Sequence, residues 1–364
     1  MLLSGIIPAI TTPFYPDGQV YFKKLEHNVG RYSKTPVTGM VVLGSTGEAP
    51  YLSDQEKRDI FKCAIDTAAA EKVMIAGVGS ESALDTLRFA EFAAKLGYDL
   101  ALVRTPFYYK SSMKPANLLA YYRYVADRSP LPVLLYNVPP FTQYDMPAEL
   151  VIELAGHPNI AGLKESSGSI EKVKAMVEGV KHVARSATVT ERFEAVTGRM
   201  LKQAQNVAAG ALVGVESLAA TANSTATVKP PSARPSSSAV QVVGNLKTRQ
   251  KKVGFQIVVG AAHKLYPSLQ AGAVGAVLAF AACAPTACYE VFAAFKDNDD
   301  PLAVEKQNRI SKAAERVSSQ LSIPGTKYAM DLNGYYGGNA RLPLLPLTMA
   351  SRLEIEQWMD KIKS

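Results

Sequence analysis

The stretch that decides the fold of this chain is Ile160-Ala-Gly-Leu-Lys-Glu-Ser-Ser-Gly168. Its first four residues form a short apolar strand pattern, and Lys164 stands at the carboxyl end of that strand. Small polar residues and a glycine follow, as is typical of a strand that ends in a loop. An unpaired ammonium is costly to bury, so this position predicts an amine that becomes available in its neutral, nucleophilic form. The alternative is a side chain that reaches solvent or pairs with Glu165.

The composition is that of a globular protein. The chain has 364 residues, of which 48% are hydrophobic and 20% are charged, enough for one large domain or two average ones. No run of about 18 apolar residues occurs, so we expect no membrane span. The amino terminus lacks a basic region, and we expect no signal peptide. Three cysteines without metal-ligand spacing indicate reduced thiols in a cytoplasmic protein: Cys63, Cys283 and Cys288.

The net charge of +8 raises the question of an anionic partner. The excess is diffuse, and its densest cluster, Lys247-Thr-Arg-Gln-Lys-Lys252, falls in a predicted linker. We therefore expect no nucleic-acid partner, and a small anionic substrate fits the composition better. The four histidines show no ligand spacing, so no metal site is predicted.

Strand and helix patterns alternate along the chain. Apolar strand patterns occur at residues 5–14, 39–44, 72–79, 99–106, 131–138, 160–164, 255–260 and 274–280. Amphipathic helical patterns separate them, and Ser53 and Glu56 have the spacing of a capping box. Eight such units predict an α/β fold, a closed (β/α)8 TIM barrel. An open doubly wound sheet is the alternative, but residues 11–18 form no phosphate loop, and Gly77-Val-Gly79 lacks the third glycine of a dinucleotide fingerprint.

Two regions lie outside the repeating pattern. Residues 1–298 are predicted to form the catalytic barrel, and residues 299–364 a carboxyl-terminal helical region with helices at 302–321 and 350–362. Residues 184–254 form an insertion between the sixth helix and the seventh strand of the barrel. Within it, residues 221–240 are rich in Ser, Thr, Ala and Pro and are predicted to be flexible. We expect this insertion on the barrel face opposite the active site.

Reactive groups in such a barrel gather at the carboxyl ends of the strands. Those ends carry Gly44-Ser-Thr-Gly-Glu48, Thr105-Pro-Phe-Tyr-Tyr109, Tyr136-Asn-Val-Pro139 and Lys164. Singly, residues 44–48 are equally compatible with a plain turn, and Tyr136 with a core tyrosine. Tyr108 and Tyr109 alone favour surface or interface aromatic residues. Together they predict one barrel mouth that contains a lysine nucleophile, a phenol and two hydroxyls.

The chain resembles the dihydrodipicolinate synthase / N-acetylneuraminate lyase family of class I, pyruvate-type aldolases. The resemblance is carried by Gly44-Ser-Thr-Gly-Glu48, Tyr136-Asn-Val-Pro139 and His157-Pro-Asn-Ile-Ala-Gly-Leu-Lys-Glu-Ser-Ser-Gly168. It covers residues 4–183 and 255–363 and leaves the insertion out. It implies a homo-oligomer, a dimer or tetramer, whose small-molecule partners are a 2-oxo acid and an aldehyde.

The resemblance implies a role for each matching residue. Lys164 is expected to form a Schiff base with a 2-oxo acid such as pyruvate, a covalent imine that requires no cofactor. Tyr136 is expected to handle protons, helped by Ser45 and by Tyr108 from a neighbouring subunit, because a free phenol keeps its proton near neutral pH. Tyr109 takes that place if the alignment shifts by one. Substrate-binding positions are expected at Thr46, Gly44, Gly47, Gly260 and Phe141.

Phe141 departs from the family pattern. Dihydrodipicolinate synthases resemble one another in an arginine at this position, and its loss removes a bidentate clamp for a substrate carboxylate. This counts against aspartate semialdehyde as the acceptor, unless Arg104 or Arg341 supplies charge from elsewhere. A 4-hydroxy-2-oxoglutarate-type aldolase is therefore an alternative to a true synthase. A catalytically weak 2-oxo acid binding protein is the non-enzyme alternative.

Overall fold

A parallel barrel dominates the computed structural model, which describes residues 1–216, 240–243 and 245–362. The strands of the described residues are β1 (Gly5–Pro8), β2 (Gly39–Val42), β3 (Val73–Gly77), β4 (Leu100–Arg104), β5 (Val133–Asn137), β6 (Ile160–Glu165), β7 (Ser186–Thr190), β8 (Gln241–Val243), β9 (Leu246–Lys252), β10 (Gln256–Val259) and β11 (Gly275–Leu278). The barrel strands pair in the order β1-β11-β10-β6-β5-β4-β3-β2, and a parallel bridge between Ala9 and Val41 closes the ring. The (β/α)8 prediction is confirmed.

Helices cover the outside of the barrel. Those of the described residues are α1 (Phe22–Ser33), α2 (Asp54–Thr67), α3 (Ala83–Leu96), α4 (Pro115–Arg128), α5 (Pro139–Thr142), α6 (Ala148–Ala155), α7 (Ile170–Gly179), α8 (Gly198–Glu216), α9 (Leu265–Gln270), α10 (Pro285–Lys296), α11 (Asp300–Ala314), α12 (Ser322–Leu332) and α13 (Met349–Met359). The predicted capping box is present at the start of α2. No helix in this described part is long and apolar enough to span a membrane.

Side chains alternate between two apolar layers because successive strand residues point to opposite faces of a sheet. On β5, Leu134 and Tyr136 belong to the cluster inside the barrel, whereas Val133 and Leu135 pack against the surrounding helices. Both layers are buried, which explains why the strands appear in the sequence as continuous apolar runs.

The carboxyl-terminal region contains one helix more than predicted. The expected helix at 302–321 is α11 followed by a wide π-helical turn, Glu315–Gln320, and the unpredicted α12 begins directly after it. Pro324 and Gly325 lie in the first turn of α12, where proline is tolerated. In the sequence, a proline followed by a glycine is typical of the end of a helix. For this reason α12 was not predicted.

The insertion contains ordered structure that the sequence did not predict. Strands β7, β9 and β8 form a small antiparallel sheet, so the basic cluster Lys247–Lys252 lies on a paired strand and not in a linker. The cluster contains no apolar residues, so it lacks the alternation of apolar and polar residues by which a strand is predicted from sequence. Residues 217–239 lie outside the described residues, so the predicted flexibility of 221–239 stays a prediction.

The described part of the insertion packs at the amino-terminal end of the barrel. Thr197 donates a hydrogen bond to the Ala70 carbonyl, and the Gly198 amide donates to Asp99, just ahead of β3 and β4. Val189 of β7 is fully buried in the cluster inside the barrel. Lys164 stands at the opposite ends of the strands, so this segment is remote from it, as expected from the sequence.

Replacement of Val189 with Asp tests the packing of the small sheet. An unpaired carboxylate buried at the barrel end is expected to lower the free energy of unfolding by about 3 kcal/mol. Val242→Asp in the same sheet is the matched control, because Val242 is 64% exposed, and a change within about 0.5 kcal/mol is expected. Urea unfolding measures both. Equal effects of the two substitutions would mean that the sheet does not pack against the barrel.

Candidate active site

Strands β5 and β6 place a phenol beside an amine. Their parallel register pairs Tyr136 with Lys164, and the Lys164 Nζ lies 4.2 Å from the centre of the Tyr136 ring. Both side chains are buried, with 4% exposure for Lys164. Among the described residues, no carboxylate lies within ion-pair distance of this amine. Lys164 therefore contacts the tyrosine inside the barrel mouth and does not reach solvent.

Glu165 faces the other side of β6. Its carboxylate accepts hydrogen bonds from the Asn137 side chain at 3.0 Å and from the Ser167 amide at 2.6 Å, and it pairs with Lys172 at 3.5 Å. Lys172 also contacts Asp145. This network connects the ends of β5 and β6 to Asp145 in the loop after β5. Because Glu165 is bound there, it does not pair with Lys164.

The turn after β2 brings hydroxyls to the same place. Ser45 and Thr46 lie in the 3-10 turn Ser45–Gly47, and the Ser45 Oγ is 3.3 Å from the Tyr136 hydroxyl. Leu43 and Glu48 flank the turn with left-handed backbone angles, φ of 58° and 56°. Such conformations cost about 1–3 kcal/mol for residues other than glycine and cluster at functional sites. The turn is thus held in one strained shape by its surroundings.

Six of the predicted site residues line one cavity of about 140 Å³ at the barrel mouth. They are Ser45, Thr46, Tyr136, Phe141, Lys164 and Gly260. Glycine is required at 260, because an added Cβ would lie 2.0 Å from the Ser166 hydroxyl. The sequence therefore predicted the residues around the lysine, and the fold brings them together.

Three predicted residues lie outside this cavity. Gly44 lines a neighbouring apolar cavity of about 410 Å³, which also reaches Ser45 and Tyr136. The Gly47 carbonyl accepts a hydrogen bond from Thr12 at 2.6 Å. Tyr108 is 72% exposed on the loop after β4, and within one chain it does not line the lysine cavity; Tyr109 is equally exposed.

Neither Arg104 nor Arg341 lines the lysine cavity, although Arg104 lines the neighbouring cavity beside Ser45 and Tyr136. Arg104 pairs with Glu81 at 2.7 Å, and Arg341 pairs with Glu56 while its amide donates to Glu48. Lys164 is the one charged residue among those that line the cavity in the described structure. No group of three potential metal-ligating side chains occurs in the described ranges.

Sequence reasoning missed the far wall of the cavity. It comes from the loop after β6, the π-helical turn and α12, and it consists of Ser166, Ser318, Ser319, Ser322, Ile323 and Thr326. A run of serines within an amphipathic helical pattern was the available signal. That signal is weak, because exposed helix faces commonly carry serine.

A buried ion pair connects this wall to the turn after β2. The Lys327 Nζ of α12 lies 2.6 Å from the Glu48 carboxylate, and both side chains are completely buried. Burial lowers the pKa of Lys327, and the Glu48 carboxylate opposes this shift. The ammonium also donates to the Asn339 carbonyl at 2.9 Å and lies 4.4 Å from the Phe14 ring. This ion pair therefore joins α12, on the far wall of the cavity, to the turn after β2 that carries Ser45 and Thr46.

The model of the dihydrodipicolinate synthetase family matches residues 2–227 and 235–362. The chain belongs to this family. The family predicted from the sequence is therefore confirmed, and so is the prediction of an enzyme of the lyase class, an aldolase.

Relatives and solved structures agree with the assignment to this family. The chain is 40% identical over 219 residues to a 4-hydroxy-tetrahydrodipicolinate synthase of Xanthomonas campestris, an alignment that covers 60% of this chain and 69% of the relative. It is 37% identical to the synthase of an Exiguobacterium species over 52% of this chain, and it spans 62% of that relative's length. The dihydrodipicolinate synthase structure from Acinetobacter baumannii, complexed with pyruvate, shares the fold with a TM-score of 0.75 at 24% identity and 99% coverage of both chains.

Replacement of Lys327 with Met tests the buried pair. It leaves the buried Glu48 carboxylate with the hydrogen bond from the Arg341 amide but without a counter-charge, and we expect a loss of about 3 kcal/mol in the free energy of unfolding. The double variant Glu48→Gln/Lys327→Met is expected to recover part of this loss, which a double-mutant cycle measures.

Lys62→Met is the matched control, because the Lys62–Asp66 pair is exposed and is worth at most about 0.5 kcal/mol. Strict additivity of the Glu48 and Lys327 substitutions in urea unfolding would contradict an energetically coupled pair.

Proposed function

We propose that this member of the family is a Schiff-base-forming aldolase that joins pyruvate, or a similar 2-oxo acid, to an aldehyde or catalyses the reverse cleavage. The observation that carries the proposal is the contact of buried Lys164 with Tyr136, whose hydroxyl meets Ser45. The pyruvate bound to the Acinetobacter baumannii relative supports the choice of 2-oxo acid.

The reaction begins when the Lys164 amine attacks the C2 carbonyl of the 2-oxo acid. Loss of water gives an iminium, whose positive nitrogen acidifies the C3 protons. Ser45 and Thr46 bind the carboxylate of the 2-oxo acid through their hydroxyls. Removal of a C3 proton yields an enamine that attacks the aldehyde, and the imine itself takes the place of a cofactor.

Tyr136 moves the protons through a relay. The 3.3 Å separation from Ser45 is long for a hydroxyl pair, as is common before substrate tightens a site. The relay continues to Tyr108 of a second copy of this chain. The exposure of Tyr108 supports this role, as does the apolar cavity beside Ser45 and Tyr136, which has room for an aromatic ring. A homo-oligomer, a dimer or tetramer in the cytoplasm, is proposed accordingly.

Phe141 argues against aspartate semialdehyde as the acceptor. It stands half-exposed at the cavity mouth and presents no guanidinium to a carboxylate. The second candidate is therefore an aldolase of the 4-hydroxy-2-oxoglutarate type. A catalytically weak binding protein would retain pyruvate adduct formation without turnover, so an assay with aldehydes separates it from the aldolase.

Lys164→Ala tests the Schiff base. Incubation of the unmodified protein with pyruvate and borohydride is expected to give a reduced adduct that mass spectrometry finds on the Lys164 peptide. The variant is expected to form no adduct and to lose activity at least about 10³-fold, because the nucleophile is gone. Lys174→Ala, at an exposed position on α7, is the control and is expected to keep both. An adduct on another lysine would refute the proposal.

Phe141→Arg tests the acceptor site. A guanidinium at the mouth is expected to raise kcat/KM for aspartate semialdehyde about tenfold, since hydrogen bonds to charged groups are worth about 1.5–3 kcal/mol. Phe141→Leu, which changes size without adding charge, serves as the comparison. If both variants gave the same kcat/KM, residue 141 would have no role in recognising an anion.

A further inference from the structure

A cavity of about 430 Å³ lies at the amino-terminal end of the barrel, opposite Lys164. Its walls come from the residues before β1, β2 and β3, from the loop after β7, from β9 and from the end of α10. The cavity therefore lies between the barrel and the small sheet of the insertion. In the described structure, its lining includes none of the residues proposed for the aldolase reaction.

Four cationic side chains from four different elements line this cavity. They are Lys72 directly before β3, Arg192 after β7, Lys251 on β9 and Lys296 at the end of α10. Two carboxylates, Glu71 and Glu194, also line it, so the surplus is four minus two, or two positive charges. Lys251 belongs to the basic cluster Lys247–Lys252, which the aldolase reaction does not use.

Three of these four cations have no counter-ion. In the part of the chain that the structure describes, Arg192, Lys251 and Lys296 form no ion pair. The carboxylate next to Arg192 in sequence, Glu191, pairs with Lys247 instead, at 3.7 Å. A cleft with a surplus of one sign of charge concentrates the opposite ions, so this cavity attracts anions.

Lys72 is the buried cation of the group, with 8% exposure. Its ammonium donates to the Thr35 carbonyl at 2.9 Å and to the Val37 carbonyl at 3.0 Å. An ammonium has three protons, so one remains for a ligand. Burial lowers the pKa of Lys72, and the carboxylates of Glu71 and Glu194 oppose this shift. A bound anion would oppose it further, because a nearby negative charge favours the ammonium form.

Phe193 organises the rim of the cavity. It is half-exposed, and its φ of 62° is an outlier for a bulky residue. The guanidinium carbon of Arg249 lies 4.5 Å and the Lys251 Nζ 5.6 Å from the centre of its ring. Strained residues of this kind persist only where the surroundings hold them, and they cluster at ligand sites. The cations at the rim are thus held in place before a ligand binds, which lowers the entropic cost of binding.

The distribution of the cations favours phosphate over carboxylate. A carboxylate presents two oxygens along one edge, whereas a phosphate presents oxygens in several directions, as cations from four elements require. Arginine also forms bidentate pairs with phosphate, and lysine contacts phosphate as a point charge. The volume lies in the range of small-molecule sites and leaves room for more than one phosphate group.

We propose that this cavity binds a small anion with two or more linked phosphate groups, either an inorganic polyphosphate or a nucleoside di- or triphosphate. The phosphate oxygens are bound by Lys72, Arg192, Lys251 and Lys296. Because such a ligand contacts the barrel and β9 at once, it stabilises the packing of the small sheet on the barrel. It does not compete with pyruvate, which binds at the opposite end of the strands.

Isothermal titration calorimetry of the full chain with inorganic pyrophosphate tests the proposal. We expect saturable binding that weakens with added salt, and a melting temperature that rises with pyrophosphate concentration. Citrate, a carboxylate anion, is expected to bind at least about tenfold more weakly, roughly the contribution of one charged hydrogen bond. ATP distinguishes the two sources: equal affinity for ATP and pyrophosphate favours an inorganic ligand, and tighter binding of ATP favours a nucleotide. Absence of pyrophosphate binding, or citrate binding of equal strength, would overturn the proposal.

Variants of the lining cations locate the site. Arg192→Gln and Lys251→Gln are each expected to weaken pyrophosphate binding at least about tenfold, because each removes a charged hydrogen bond. Lys252→Gln is the matched control, because Lys252 is the next residue on β9, is exposed and does not line the cavity. It is expected to keep its affinity within about twofold, since solvent screens its charge.

Three further readouts complete this test. Melting temperatures without ligand report whether the variants fold. Borohydride trapping of pyruvate on Lys164 is expected to be the same in all three, so a failure of the aldolase proposal is distinguishable from a failure of this one. A single-stranded oligonucleotide serves as a competitor. If the oligonucleotide bound more tightly than pyrophosphate, with equal losses in Lys251→Gln and Lys252→Gln, the charge would act as a diffuse surface and the cavity would not be the site.

Discussion

The ion pair between Glu48 and Lys327 is the contact on which the rest of the site depends. Both side chains are completely buried, where an unpaired charge is unfavourable. Removal of either charge alone is therefore expected to destabilise the fold. Glu48 ends the strained turn that carries Ser45 and Thr46, and Lys327 lies on the helix that closes the cavity. This interaction therefore joins the turn after β2 to α12, and the hydrogen bond from the Arg341 amide to Glu48 joins the same turn to the chain after α12.

The barrel and the carboxyl-terminal helices contribute different chemistry. Strands β5 and β6 place Tyr136 beside Lys164 through their parallel register. On the other face of β6, Glu165 contacts Asn137 and Lys172 and stabilises the ends of both strands. The helices add a wall of small polar side chains without charge. Lys164 and Tyr136 thus lie on paired strands, whereas the opposite wall of the cavity comes from a separate layer of helices.

The sequence was informative where local pattern and topology coincide. Alternating apolar strands and amphipathic helices imply a barrel, and parallel strands end at one edge, so Lys164, Tyr136 and Ser45 could be placed together in advance. The serine wall could not, because its residues are distant in sequence from Lys164 and resemble an ordinary helix surface. Strand β9 was not predicted because its sequence is mostly charged and polar and does not alternate between apolar and polar residues. A role for Tyr108 depends on a second copy, which no pattern within one chain reveals.

The wide π-helical turn has a consequence for how the cavity can vary. By adding a residue to each hydrogen-bonded loop, it offsets the face of the preceding helix and aims neighbouring serines at the barrel mouth. The turn and Lys164 lie in different parts of the sequence. Substitutions in the turn can therefore change the lining of the cavity and leave the residues around the lysine as they are.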